Sequence, residues 1–247
     1  MDDAKYYKRT IVKEQIYSHT LDQERSLRIF LPPGYEELNS YPVIYCQDGE
    51  EFFNFGRIAT HATKMILDEG MEPFVIVGVD VNLPQRTEEY APDGQRYEAY
   101  RHFFAHEMLP YVEENYAVRN TAAERILAGD SLGGTVSLHL VLDHPELFTK
   151  VISLSGAFLP STQKRLQLES DLSHLHMYML IGTEEEAVQT DRGTFDFLAL
   201  NRTCQTLLEE RNARLHYTEK PGRHLWGFWQ NEIPEALAFF YRDDTAL

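Results

Sequence analysis

Apolar residues in this chain gather in short runs divided by polar stretches, and the spacing within the runs changes along the sequence. Residues 11–17 and 25–31 are apolar-rich and flank the polar stretch His19-Thr20-Leu21-Asp22-Gln23, which predicts two antiparallel strands. Pro32-Pro33-Gly34-Tyr35 breaks the second. From there strands and helices alternate. Residues 42–46 form a short apolar strand followed by the turn Gln47-Asp48-Gly49, and 58–69 carries Ala59, Ala62, Met65 and Ile66 at helical spacing. Residues 74–79 are apolar without alternation, as in a strand buried on both faces. The pattern continues with a long helix over 97–115, a strand at 125–128, a helix at 135–142 and buried strands at 151–154 and 177–181. A helix at 195–211, a strand at 215–219 and a closing helix at 233–241 complete it. Such alternation predicts an α/β fold with a mostly parallel central sheet, helices on both faces and an N-terminal antiparallel hairpin. Repeats, low-complexity tracts and linkers are absent from the sequence, so residues 1–247 are expected to form one domain.

Composition alters this picture little. A length of 247 residues suits one α/β domain, and 43% hydrophobic with 25% charged residues is ordinary for a globular protein. The net charge of -16 disfavours nucleic acid and anionic membrane surfaces as partners. The start, Met1-Asp2-Asp3-Ala4-Lys5, has no apolar signal segment, and no run is long enough to span a bilayer, so a cytoplasmic location is expected. Cys46 and Cys204 make neither a disulfide framework nor a metal motif; Cys46, inside an apolar run, reads as a buried thiol.

The segment richest in chemistry is Gly129-Asp130-Ser131-Leu132-Gly133, a G-x-S-x-G pattern between a strand and a helix. A serine on such a tight turn projects its hydroxyl from the carboxyl edge of the sheet, and glycines on either side let strand and helix approach. The helix that starts after Ser131 turns free N–H groups toward the site, which favours a developing oxyanion. A hydroxyl needs a neighbouring base at neutral pH. Where this turn occurs in α/β-hydrolases, the acid and then the histidine follow the serine in the chain. Among ten histidines, His224 fits that late position, in a loop bracketed by Gly222 and Gly227 with aromatics around it. His102 and His106 share a helix face at i, i+4, but the sequence offers no third ligand, and the pair reads as part of a solvated or half-buried helix face. His144 is expected at a helix terminus, His139 lies within the helix after Ser131, and His174 and His176 come too early for the base.

These residues resemble the "Putative esterase" (esterase D / enterochelin esterase-like) family of α/β-hydrolases. The likeness rests on Tyr41-Pro42-Val43-Ile44-Tyr45-Cys46-Gln47-Asp48-Gly49; on Gly129 to Gly134 with its continuation through His144-Pro145-Glu146-Leu147-Phe148 and Ser153-Leu154-Ser155-Gly156; and on Gly222-Arg223-His224-Leu225-Trp226-Gly227-Phe228-Trp229. The resemblance implies an α/β-hydrolase fold and a carboxylate after the strand at 177–181, three residues past Gly182, at Glu185. Glu184, Glu186, Asp191 and Asp196 stay open as alternatives. It also implies an oxyanion hole made of the backbone N–H of Leu132 and one from the Asp48-Gly49-Glu50 turn, that of Glu50. Arg223 departs from the pattern, since the family often has a second glycine there; a surface arginine is expected. In the loop after Val79, Arg86 and Tyr90 are expected to stabilise the loop and not to read substrate.

The expected activity is that of a serine carboxylesterase acting on a small-molecule ester through Ser131, His224 and Glu185, with no metal or organic cofactor. An acyltransferase or a siderophore-type lactone esterase on the same scaffold is the alternative, and a non-catalytic binding module is the outside reading. The sequence leaves a homo-oligomer open.

Overall fold

The two N-terminal apolar runs pair as β1 (Thr10–Ser18) and β2 (Gln23–Leu31), antiparallel with Thr10 opposite Leu31 and Ser18 opposite Gln23. The computed structural model describes residues 10–242, so the acidic start at Met1 to Lys5 lies outside the described residues. Next come β3 (Val43–Cys46), α1 (Gly49–Asn54), α2 (Ile58–Glu69), β4 (Val75–Val79), α3 (Arg86–Tyr90), α4 (Tyr97–Phe103) and α5 (Leu109–Asn115). They are followed by β5 (Arg125–Asp130), α6 (Leu132–Asp143), β6 (Lys150–Leu154), α7 (Pro160–Gln167) and β7 (His176–Gly182). The last elements are β8 (Val188–Thr190), β9 (Gly193–Phe195), α8 (Phe197–Glu209), β10 (Arg214–Lys220) and α9 (Trp226–Arg242).

Among the described residues, eight strands make one sheet in the order β1-β2-β4-β3-β5-β6-β7-β10. β2 joins β4 antiparallel, and every pairing from β4 to β10 is parallel. This is the expected α/β class, with the N-terminal hairpin at one edge. Side chains alternate across the central strands. Val43, Tyr45, Val77 and Leu127 enter one apolar cluster, whereas Ile44, Cys46, Ile76 and Ile126 enter another. The first cluster takes in residues of α4, α5, α6 and α8, and the second residues of α1, α2 and α9, so both faces are covered. This double burial is why the central strands read as unbroken apolar runs. Both cysteines are buried and free, and burial pushes their thiols up.

Three details depart from the pattern-based reading. The helix over 97–115 is continuous only through a π turn at Phe104–Met108. The closing helix begins at Trp226 and not near residue 233, so Gly227 is helical and outside any loop. Phe195 ends β9 instead of starting a helix. The short elements α1, α3, α7 and the β8–β9 ribbon gave too few residues for a periodic signal. No helix among the described residues is long and apolar enough to cross a membrane.

α6 carries His139 into the interior, 5% exposed, with Nε2 3.0 Å from Thr162 Oγ1. Burial, and then the charges of Arg101 and Arg165, lower its pKa to about 3. The unfolded chain, with an ordinary histidine near 6.5, therefore takes up a proton that the folded state refuses. Its contribution is complete above pH ~6.5 and is lost as pH falls toward 3. At pH 5 the loss should be about 2 kcal/mol. Urea unfolding at pH 7.5 and pH 5 checks this. The wild-type decrement should exceed that of His139→Gln by about this amount, and equal decrements would refute the assignment.

Candidate active site

β3 and β5 are parallel neighbours, with Cys46 opposite Ala128, so the turns that follow them emerge side by side at the carboxyl edge of the sheet. After β5 the chain reverses at Ser131, whose φ of 52° and ψ of -121° are rare for a residue with a side chain. Holding such a conformation costs on the order of 1–3 kcal/mol and needs support from its surroundings. That support is visible. Ser131 N–H donates to Leu154 O (3.0 Å), and Ser131 O accepts from Ala157 N–H (2.9 Å). A Cβ on Gly129 would fall 2.2 Å from the Gly133 carbonyl carbon, so only glycine lets β5 and α6 meet this closely. The serine is half-buried, and Leu132 behind it opens α6, where helix geometry gives the backbone N–H no intrahelical acceptor.

The ends of β7 and β10 are likewise adjacent, Gly182 opposite Lys220. Thr183 N–H donates to Lys220 O (2.9 Å) and Glu184 N–H to Gly222 O (3.0 Å), which binds the two following loops together. This brings His224 Nδ1 to 2.6 Å from Glu185 Oε2. Glu185 is fully buried, and its other oxygen accepts from Ser155 Oγ (2.6 Å) and Gly182 N–H (3.0 Å). Ser155 Oγ in turn accepts from Trp229 Nε1 (2.8 Å). The His224 ring stacks on Phe197 at 4.6 Å and 16° and meets Trp229 edge-on at 4.9 Å.

Of the five carboxylates open from sequence, only Glu185 touches His224. Glu184 is exposed and takes Arg223 Nε at 2.8 Å, so Arg223 is a surface residue with an acidic neighbour. Glu186 is exposed, Asp191 Oδ2 accepts from Thr87 Oγ1 (2.7 Å), and Asp196 caps α8 by accepting from Ala199 N–H (2.9 Å). Ser131, Leu132 and His224 line one cavity of about 210 Å³. Its apolar wall includes Leu159, Phe195 and Phe197, and its polar rim includes Arg86, Thr87 and Arg192. Glu50 does not line it: the residue is second in α1, and its side chain turns to Arg28 at 2.9 Å.

Sequence reasoning missed Ser155, Phe197 and the β8–β9 ribbon. Ser155 was within reach, because the Ser153-Leu154-Ser155-Gly156 stretch ends β6 one strand from the Ser131 turn. Phe197 and the ribbon carried no local signal. The reading of His102 and His106 also lacked a neighbour. His144, which caps the end of α6 as expected, brings its ring to 5.3 Å from that of His106. His102 Nδ1 lies 3.0 Å from Thr20 Oγ1. Among the described residues, no group of three or more histidine, cysteine or carboxylate side chains is arranged to hold a metal ion.

Comparison with known proteins bears on this arrangement. The uncharacterized protein YjcH of Bacillus subtilis (strain 168) is 34% identical over 230 residues, covering 92% of this chain and 96% of its own. Among solved structures, a ferulic acid esterase matches with a TM-score of 0.79 at 18% identity, covering 95% of this chain and 98% of that one. The enterobactin esterase FES of Shigella flexneri matches with a TM-score of 0.80 at 19% identity. That match covers 94% of this chain and 59% of the longer enzyme. At such identities the likeness is one of fold, an α/β-hydrolase fold. The family model described as "Putative esterase" matches residues 18–240, and the chain belongs to that family.

Proposed function

We propose that the protein is a serine carboxylesterase in which Ser131, His224 and Glu185 act together on a small-molecule ester. One observation carries this reading: the hydroxyl at the positive-φ turn and an imidazole backed by a buried carboxylate open into the same cavity. Glu185 holds Nδ1 protonated, which leaves Nε2 as the base. Nε2 takes the Ser131 proton as Oγ attacks the ester carbonyl, and the carbonyl electrons move to the oxygen. Backbone N–H groups of Leu132 and of the β3–α1 turn receive that oxyanion. As the intermediate collapses, the imidazolium protonates the departing alcohol, leaving an acyl-serine. Water, deprotonated by the same nitrogen, then releases the acid and restores the serine.

The cavity is smaller than the roughly 300–1,000 Å³ of sites for drug-sized ligands, which favours a compact acyl group against Leu159, Phe195 and Phe197. A ferulic acid esterase and an enterobactin esterase share this fold, which supports an ester as substrate. A fluorophosphonate probe should label the folded wild-type protein at Ser131 and leave folded Ser131→Ala unlabelled. Equal labelling of the two, or none of the wild type, overturns the reading.

A further inference from the structure

The proposed oxyanion hole draws its donors from two segments that no backbone ladder joins beyond the sheet edge. Ladder bonding ends with Gln47 N–H donating to Ala128 O (2.8 Å). The next residue, Asp48, sits in the left-handed region at φ 51° and is 1% exposed. What holds it is α3. Arg86 presents Nε to Asp48 Oδ1 (2.8 Å) and Nη2 to Asp48 Oδ2 (2.7 Å), a two-pronged pair. Nη2 also reaches the main-chain oxygen of Asp130 (3.4 Å) and its carboxylate (3.9 Å). Tyr90, from the same helix, accepts the Asp48 N–H on its hydroxyl (3.2 Å) and places its ring 5.2 Å beneath the guanidinium.

One guanidinium thus grips the residue before the β3–α1 donors and the residue before the nucleophile. Resting on the serine-esterase reading, we propose that Arg86 is a positioning residue that fixes the distance between the two halves of the oxyanion hole. Its charge serves the same end. Burial, and then the charge of Asp48, push the Asp130 carboxyl well above the usual carboxylate range. Arg86 and Asp48 then cancel each other beside a site where negative charge must form. Without the guanidinium, Asp48 would be left as a buried anion next to the forming oxyanion, a penalty felt more in the transition state than in substrate binding.

The test uses a short-chain aryl ester with wild type, Arg86→Ala and Arg86→Lys, together with the affinity of phenylboronic acid, whose serine adduct carries a tetrahedral anion. Arg86→Ala should lower kcat by roughly 10²-fold, with KM within about threefold. Arg86→Lys, which keeps the charge but loses the fork, should lower kcat roughly tenfold. Boronate affinity should fall in step with kcat in both. A merely structural arginine would lower the melting temperature while leaving kcat and boronate affinity of the folded protein unchanged, and that result overturns the proposal. Should Arg86→Ala fail to fold, Arg86→Lys decides the matter by the same split. An active wild type with an unaffected Arg86→Lys defeats this inference alone, whereas a wild type that neither cleaves the ester nor binds boronate defeats the esterase reading as well.

Discussion

Ser131→Ala is expected to lower kcat on a short-chain aryl ester by about 10⁶-fold, His224→Ala by a similar factor, and the double variant by no more than either. In the proposed mechanism the two side chains serve a single step, because the hydroxyl attacks only as the imidazole removes its proton, and losing either abolishes it. What survives is whatever the backbone donors and the cavity offer a water molecule, a residual of roughly 10³–10⁴ over the uncatalysed rate. Both replacements leave the fold supported. Ser131 is held through its main chain, by Leu154 O and Ala157 N–H, and His224 keeps 16% of its side chain exposed. Steady-state kinetics with protein free of wild-type contamination checks this. Losses that multiply in the double variant would mean the two act independently, against the proposed mechanism.

Glu185→Gln should lower kcat by about 10⁴-fold, with little change in KM. Glu185 receives three donors: His224 Nδ1–H on one oxygen, and Ser155 Oγ–H and Gly182 N–H on the other. A glutamine brings one oxygen and one NH₂ into a space built for two acceptors. If the amide oxygen stays with Ser155 and Gly182, the NH₂ faces Nδ1 and drives the proton to Nε2, the nitrogen that in the proposed mechanism accepts one from Ser131. The developing imidazolium also loses its buried counter-charge. The decisive measurements are kcat and the low-field proton resonance of the His224 Nδ1–H, which should be present in wild type and absent in the variant. A kcat within about tenfold of wild type would remove Glu185 from the mechanism.

The elements were legible where one rule governed a long enough stretch. Strands buried along nearly their whole length, such as β4 and β7, announce themselves as apolar runs, and α2 by its spacing. Boundaries moved where tertiary contacts outweighed local pattern. α9 starts at Trp226 because Phe228 and Trp229 are buried in the cluster beneath the sheet, a contact no local window reveals. The site divided along the same line. A turn motif with a steric basis marked Ser131, and chain order marked His224. Local pattern does not separate three adjacent glutamates, and only the family resemblance pointed to Glu185; what sets it apart physically is burial, since Glu185 points inward while Glu184 and Glu186 face solvent. Ser155 and Phe197 come from other strands and helices, so their nearness is a product of the fold.

The β8–β9 ribbon shares no ladder with the eight-stranded sheet, and it is fastened by side chains: Arg192 to Asp93 and Asp191 to Thr87. Its residues nonetheless help to line the mouth of the cavity. Insertions or replacements there can reshape the entrance without shifting the register of any strand that aims the reacting groups. On the proposed esterase reading, selectivity and chemistry would thus sit on separable parts of one chain, and a lineage carrying this architecture could trade one acid or alcohol for another while the strands beneath stay as they are.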